Sequence, residues 1–174
     1  MLKLSNKKIN KCLLCGNKKL KNIFSLGNLF ISTFVNKKNI NTGLKAPLNL
    51  KLCPNCTLIQ LSHIAPQELM YKKHYWYKSG ITKTMRDGLE NLHKSTLNYV
   101  KLKKNDVVLD IGANDGTLLK YYKQKKFITI GCEPASNLIK DLKKNCKYTI
   151  SDFWSKNKLE KILSKEKLPK PKII

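Results

Sequence analysis

The sequence predicts an α/β fold, a parallel sheet preceded by a small β-rich module, and three observations carry that prediction. Two Cys-x-x-Cys pairs, Cys12/Cys15 and Cys53/Cys56, bracket a stretch of short apolar runs. A buried-strand pattern from Val107 to Ile111 runs into a glycine turn, Gly112 to Gly116, which opens a helical pattern from about Thr117 to Lys126. A second apolar run, Ile128 to Cys132, stops at Glu133, roughly 20 positions after Gly112, and a third follows at Tyr148 to Ile150.

The module occupies residues 1–65. Cys12-Leu-Leu-Cys15-Gly16 and Cys53-Pro-Asn-Cys56 are two tight knuckles, each able to aim two sulfurs at one centre. Four thiolates form a closed tetrahedral zinc site, which leaves no position for water and so holds the fold together rather than reacting. Such a site carries a formal charge of −2, and Lys11, Lys18, Lys19 and Lys51 lie close enough in sequence to offset it. The alternatives are a disulfide pair or a redox dithiol. A redox Cys-x-x-Cys normally occurs once, beside a helix start, and structural disulfides do not persist in a reducing compartment. Ile23 to Val35, Leu48 to Leu52 and Leu58 to Leu61 read as short β segments.

Residues 66–104 read as a linker and a helix. Pro66 breaks the chain, Gln67 to Tyr71 suits a short helix, and Met85, Leu89, Leu92 and Tyr99 recur at helical spacing between Gly80 and Val100. This helix is expected to pack on the domain that follows, with Lys101 to Asp106 as its polar exit. The stretch Tyr71 to Gly80 is unusually aromatic for a linker and has two readings: a packing patch between domains, or a loop that folds over a site and excludes water. On extended chain Tyr75 and Tyr77 face one side and Trp76 the other. His74 reads as a surface residue.

Residues 105–174 form the third segment, and its turn points to a ligand. Backbone N–H groups at the start of the helix are expected to be unpaired and available. A dinucleotide fingerprint counted from Gly112 requires glycine at 114 and 117, where this chain has Asn114 and Thr117, so a diphosphate is disfavoured. Asp110, at the strand end beneath the turn, would repel a diphosphate. It suits the ammonium and sulfonium charges of S-adenosylmethionine, which has no phosphate. Glu133 stands where a carboxylate accepts both hydroxyls of a ribose. Cys132 and Cys146 lack knuckle partners and read as small buried apolar residues.

The formal net charge of +24 over 174 residues would ordinarily suggest nucleic acid. Arg86 is the only arginine, however, and the lysines are spread over the whole length, without the arginine forks or aromatic clusters that read bases. Nucleic acid is therefore disfavoured, while the charge would still attract a phosphorylated substrate. No apolar run approaches the ~18 residues of a membrane span, no secretory signal is present, and a cytoplasmic location is expected. Oligomeric state is not encoded in any feature of the sequence.

The order of parts resembles the N-terminal portion of the zinc-binding sugar C-methyltransferases, class I enzymes that methylate a ring carbon of nucleotide-linked deoxysugars. The resemblance is carried by Cys12-x-x-Cys15-Gly16, Ser25-Leu-Gly27, the run from Leu50 to Leu61, Tyr75-Trp-Tyr-Lys-Ser79, the run from Asp110 to Leu119, and Glu133-Pro134. Thr57 departs from it, standing where the family usually has glycine. The resemblance implies a partial Rossmann-like methyltransferase sheet, zinc on Cys12, Cys15, Cys53 and Cys56, and S-adenosylmethionine against Gly112, Asn114, Gly116 and Glu133. It also implies that Asp152 and Phe153 border the adenine and that Tyr75 or Tyr77 reaches the active site as a catalytic residue. The acceptor would be a nucleotide sugar. The family continues through four more strands and a second α/β domain, and Lys172-Ile-Ile174 reads as the opening of a fourth strand. The chain is thus expected to be an N-terminal fragment, inactive alone. Two rival readings stay open: an RNA or protein methyltransferase with a zinc ribbon, and a non-catalytic zinc-binding interaction module.

Overall fold

The computed structural model describes residues 6–31, 37–39, 43–72 and 75–174. The chain divides into two compact units, Met1–Met70 and Tyr71–Ile174.

In the first unit β1 (Lys7–Lys8), β2 (Lys21–Phe30), β3 (Lys45–Leu52), β4 (Ile59–Leu61) and β5 (His63–Ile64) form two antiparallel sheets, β1 with β5 and β2-β3-β4. The first of the expected β segments is β2, which starts earlier than Ile23; the expected continuation over 32–35 lies outside the described residues. The β2–β3 register slips between Ser25 and Asn28, where Gly27 takes φ +71° and its N–H is held by the Ser25 hydroxyl, as in a β-bulge. This unit buries little. Its buried apolar residues, among those described, are Ile9, Cys12, Ile31 and Cys53, and every residue of β2 is exposed. Gln60, buried and polar, uses its side chain to accept from the Leu13 amide at 2.9 Å and to donate to the Lys11 carbonyl at 3.2 Å, tying β4 to the first knuckle. A π-helical turn, Glu68–Lys72, lies where the short helix after Pro66 was expected.

The second unit opens with α1 (Lys83–Tyr99), capped by the Thr82 side chain accepting from the Met85 amide. It continues through β6 (Val107–Ile111), α2 (Thr117–Gln124), β7 (Ile128–Cys132), α3 (Ile139–Asn145), β8 (Tyr148–Ile150) and α4 (Lys156–Lys165). The three strands are parallel in the order β6-β7-β8. Beyond the other edge of β6, Ile173 pairs in parallel with Val108: Lys172 donates to the Val107 carbonyl at 2.8 Å and Leu109 to the Ile173 carbonyl at 3.0 Å. Residues 172–173 thus lie, through a single parallel bridge, where the fourth strand was expected, on the side of β6 away from β7, so the order reverses at β6.

Alternation along β6 builds a core on each face. Val107 and Leu109 join Ile128, Ile130, Cys132, Ile150 and Leu159 on one side, while Val108 joins Leu119, Tyr122, Leu142 and Cys146 on the other. Cys132 and Cys146 are therefore the buried apolar residues that were expected. Gly131 is required by this packing, since a Cβ there would lie 2.6 Å from Leu142 Cδ1. α1 packs on α2 as predicted: His93 meets Tyr122 edge-on with ring centroids 4.4 Å apart, and the Tyr121 hydroxyl donates to the Arg86 carbonyl at 3.2 Å. α2 stops at Gln124, short of the expected Lys126, because Lys126 turns left-handed at φ +64°. The Lys126 and Phe127 amides then return to the Lys123 and Tyr122 carbonyls, closing the helix end. Among the described residues no helix is long and apolar enough to cross a membrane.

Candidate functional site

The two knuckles fold alike and face each other. In each, the amide one residue past the second cysteine returns to the carbonyl of the first, Gly16 to Cys12 at 3.0 Å and Thr57 to Cys53 at 2.9 Å. Both turn residues are left-handed, Gly16 at φ +76° and Thr57 at φ +59°. Thr57 accepts this conformation at a steric cost that glycine avoids, partly offset by its hydroxyl donating to the Cys56 carbonyl at 2.7 Å. The four sulfurs of Cys12, Cys15, Cys53 and Cys56 all lie within 4.8 Å of one another, with Cys12 to Cys56 at 3.5 Å and Cys15 to Cys53 at 3.6 Å. Tetrahedral Zn–S bonds of about 2.3 Å place sulfurs roughly 3.8 Å apart, so the cluster fits one zinc ion. Asn17 and Asn55 point side-chain N–H groups at the sulfurs of Cys53 and Cys15, each at 3.6 Å. Burial pushes the Cys53 thiol up, but the amides of Cys56 and Asn55 and the side chains of Cys15 and Asn17 outweigh it and bring it down to about 6. Cys56 is drawn down by the Leu58 amide, yet burial and its three sulfur neighbours push it to about 12. Four thiols so close cannot all ionise without a cation between them.

The turn after β6 differs from its sequence-based reading. Every amide from Gly112 to Thr117 already has a partner. Gly112 and Ala113 donate to the Cys132 carbonyl, Asn114 to Glu133 Oε2, Asp115 to the Asn114 side chain, Gly116 to the Ala113 carbonyl and Thr117 to Asp115 Oδ1. Within the turn the expectation of unpaired amides is therefore corrected: side chains take the amides of Asn114, Asp115 and Thr117, and backbone carbonyls take those of Gly112, Ala113 and Gly116. A phosphate would find no vacant amide between Gly112 and Thr117. Gly112 and Gly116 are left-handed at φ +82° and +77°, and a Cβ on Gly116 would lie 2.8 Å from Asn145 Cβ, so glycine is needed for the close approach of α3.

Glu133 is buried at the end of β7, its Oε2 accepting from Asn114 at 3.0 Å and its Oε1 from the Ala135 amide at 2.8 Å. A carboxylate oxygen takes two hydrogen bonds, so each retains one acceptor position. Asp110 lies at the end of the adjacent strand and borders a cavity of about 150 Å³ with Ser79, Gly112, Asn114 and Thr117. Burial raises its pKa and the charge of Glu133 raises it further, with no cation to offset either. Beyond β8, Asp152 accepts from Lys158 at 2.6 Å, from the Phe153 amide at 2.8 Å and from Lys72 at 3.2 Å. These partners, Lys158 foremost, hold its carboxyl well below the usual carboxylate range. Lys72 also stands 5.9 Å from the centre of the Phe153 ring.

The aromatic segment belongs to the same unit. Asn114 accepts from the Ser79 amide at 3.0 Å and donates to the Tyr77 carbonyl at 3.1 Å, and Asp115 accepts from the Gly80 amide at 2.8 Å. The side chain of Asn137 accepts from the Tyr75 amide and donates to its carbonyl, both at 3.0 Å. Tyr77 is half exposed, and His74 lies outside the described residues. The structure thus gathers Asp110, Gly112, Asn114, Gly116 and Glu133 at the carboxyl ends of β6 and β7, with Tyr75 and Tyr77 tied to the same loops and Asp152 and Phe153 after β8. Asp115 and Asn137 escape the sequence reading. Asp115-x-Thr117 carries a local capping signal, but Asn137 is visible only through its pairing with a distant residue.

Two comparisons with known proteins bear on these sites. Residues 12–71 match a methyltransferase family described as "Putative zinc binding domain". The C-methyltransferase NovU of Streptomyces niveus is 24% identical over 132 residues, covering 75% of this chain and 31% of that protein. The chain therefore spans about a third of the length of the curated relative that it matches. The family match contains all four cysteines of the cluster, and the two findings together support a methyltransferase-associated zinc-binding region in this chain.

Proposed function

We propose that Tyr71–Ile174 is the first part of a Rossmann-like, class I S-adenosylmethionine site, and that the chain serves methylation of a ring carbon in a nucleotide-linked deoxysugar. One observation carries this reading: two carboxylates, the half-buried Asp110 and the buried Glu133, stand at the carboxyl ends of neighbouring parallel strands, beside a turn whose amides from Gly112 to Thr117 are all taken. The sheet order reverses at β6, and in open α/β sheets that is where ligands bind. Negative charge beside a turn whose own amides are taken suits a cationic, phosphate-free adenosine ligand and opposes a dinucleotide.

When bound, S-adenosylmethionine supplies a methyl group on a positively charged sulfur. In this reading Glu133 accepts the ribose hydroxyls with its two remaining acceptor positions. Asp110 provides the negative field beneath the cationic end, and Gly112, Asn114 and Gly116 shape the floor. Asp152 and Phe153 border the adenine. The acceptor carbon becomes nucleophilic when a proton next to a sugar ketone is removed. Tyr75 and Tyr77 are the residues assigned to steadying the resulting enolate or passing on that proton. A phenol titrates near 10, so a stronger base must act with it. The zinc unit is structural. Four free thiols on one ion accord with a reducing, cytoplasmic setting. The spread of lysines offers a nucleotide sugar a favourable field.

Titration of the zinc-loaded chain with S-adenosylhomocysteine, followed by calorimetry, tests the reading. Binding is expected in the wild type and should weaken at least tenfold in Glu133→Gln. Preference for NAD or ATP, or binding indifferent to Glu133, would overturn it. A steep salt-dependent affinity for RNA in place of adenosyl binding would favour the nucleic-acid rival.

A further inference from the structure

Lys72 and residues 75–80 are fastened to the loops that follow each strand of the parallel sheet. After β8, Asp152 binds the Lys72 ammonium, and after β7 the Ser136 amide donates to the Lys72 carbonyl. Asn137, in the same loop, grips Tyr75 through both its N–H and its C=O, and Asp141 at the start of α3 pairs with Lys78. After β6, Asn114 takes the Tyr77 carbonyl and the Ser79 amide, and Asp115 takes the Gly80 amide. The segment therefore crosses the carboxyl ends of the strands in the order β8, β7, β6.

Two of these fastenings are unusual. A primary amide that bonds the N–H and C=O of one residue supplies the pair of bonds that a neighbouring strand would make, so Asn137 fixes the backbone at Tyr75 without any strand there. Asn114 has three of its four side-chain hydrogen-bonding positions occupied, by Ser79, Asp115 and Tyr77, while its own amide holds Glu133. Its left-handed backbone, φ +52°, is one that asparagine tolerates better than most residues. The strap lies directly on the turn: a Cβ on Gly80 would come within 2.7 Å of Asp115 Oδ2 and 2.8 Å of Thr117 Oγ1.

We propose that Asn137 and Asn114 are positioning residues, whose side chains hold the strap Tyr75–Gly80 across the ends of β6 and β7 and so present Tyr75, Trp76 and Tyr77 to the acceptor. The inference deepens the methyltransferase reading and rests on it for the acceptor, though the fastening itself stands on geometry alone. It assigns the side chain of Asn114 to the strap rather than to the cofactor. It also links the strap to Glu133 through a single residue, so a ligand held by Glu133 is felt at Ser79.

Amide hydrogen exchange on the zinc-loaded, isotope-labelled chain tests this. Asn137→Ala should speed exchange at Tyr75 at least tenfold, and Asn137→Asp, which keeps the acceptor for that amide, should restore most of the protection. Asn114→Ala should speed exchange at Ser79 to a similar extent. Gly80→Ala, which leaves both asparagines in place and pushes the strap away from Asp115, should do the same at Ser79 and Gly80. In all of these, amides of β6 and β7 should keep wild-type protection. Unchanged exchange at Tyr75 in Asn137→Ala, or acceleration spread equally over β6 and β7, would overturn the proposal. S-adenosylhomocysteine should slow exchange at Ser79 in the wild type and not in Asn114→Ala. If the wild type binds no such ligand while the substitutions act as stated, the strap assignment is upheld and the methyltransferase reading alone fails.

Discussion

The two units of this chain are held together by different means. Tyr71–Ile174 covers both faces of a parallel sheet with helices and buries a row of large side chains, Leu109, Leu119, Tyr122, Ile130, Leu138 and Leu142 among them. Met1–Met70 lays out a long hairpin whose β2 strand is exposed throughout, and two of its four buried apolar residues, among those described, are cluster cysteines. A unit of this size normally gains its stability by burying apolar area, and one that does not needs a covalent or metal staple. The contrast teaches that the zinc ion is the core of the first unit, whereas the second would remain folded without any metal.

Removing the metal is the strongest way to break this contrast. Chelation, or Cys53→Ser, should unfold Met1–Met70 outright, since structural zinc contributes on the order of 10 kcal/mol or more to folding. Amide spectra should show the signals of the first unit collapsing while those of β6, β7 and β8 persist, and metal analysis should fall from one zinc per chain. The reciprocal change is smaller. Leu119→Ala, at a fully buried position, should cost the second unit about 2–5 kcal/mol in denaturant unfolding and leave the zinc content untouched.

Acidification separates the units more gently. His93 is buried, its Nδ1 has no hydrogen-bond partner, and it faces the rings of Tyr121 and Tyr122 with Glu90, Lys94 and Lys125 nearby. Burial lowers its pKa, Lys125 lowers it further, and Glu90 opposes them. A histidine whose folded value lies below the unfolded one, about 6.5, contributes stability that is complete above that pH and is lost as pH falls toward the folded value. Denaturant unfolding read on α1 and α2 amides should therefore weaken between pH 7 and 5, and His93→Phe should flatten the slope.

The smallest expected effect lies within the zinc unit and compares its two knuckles. Thr57 sits at φ +59° where the first knuckle has Gly16 at +76°. Thr57→Gly should relieve about 1 kcal/mol of left-handed strain, raising the chelator concentration at which the unit unfolds. An unchanged or lower midpoint would mean that the Thr57 hydroxyl bond to the Cys56 carbonyl outweighs the strain.

Much of this was legible in the chain itself because the signals are local. The three parallel strands begin and end where their apolar runs do, since strands covered by helices on both faces are built mostly of apolar residues. The cysteine spacing specified both knuckles for a similar reason: two cysteines separated by two residues on a tight turn bring their sulfurs together. The state of the turn after β6 was not legible. The pattern of glycines suggested open amides, yet the Cys132 carbonyl and Glu133, brought alongside by the next strand, the Ala113 carbonyl, and the side chains of Asn114 and Asp115 take every amide from Gly112 to Thr117. The aromatic strap is similar, because nothing near Tyr75 in sequence indicates that Asn137 will hold it.

The sequence by itself determined the elements, the metal cluster and the residues at the strand ends, because periodicity, knuckle spacing and glycine turns act over a few neighbouring positions. Tertiary structure alone decided which donors of the turn are taken, that Asp110 faces Glu133 and where the aromatic segment lies. Those depend on hydrogen bonds and burial between groups that the chain keeps far apart until the sheet assembles.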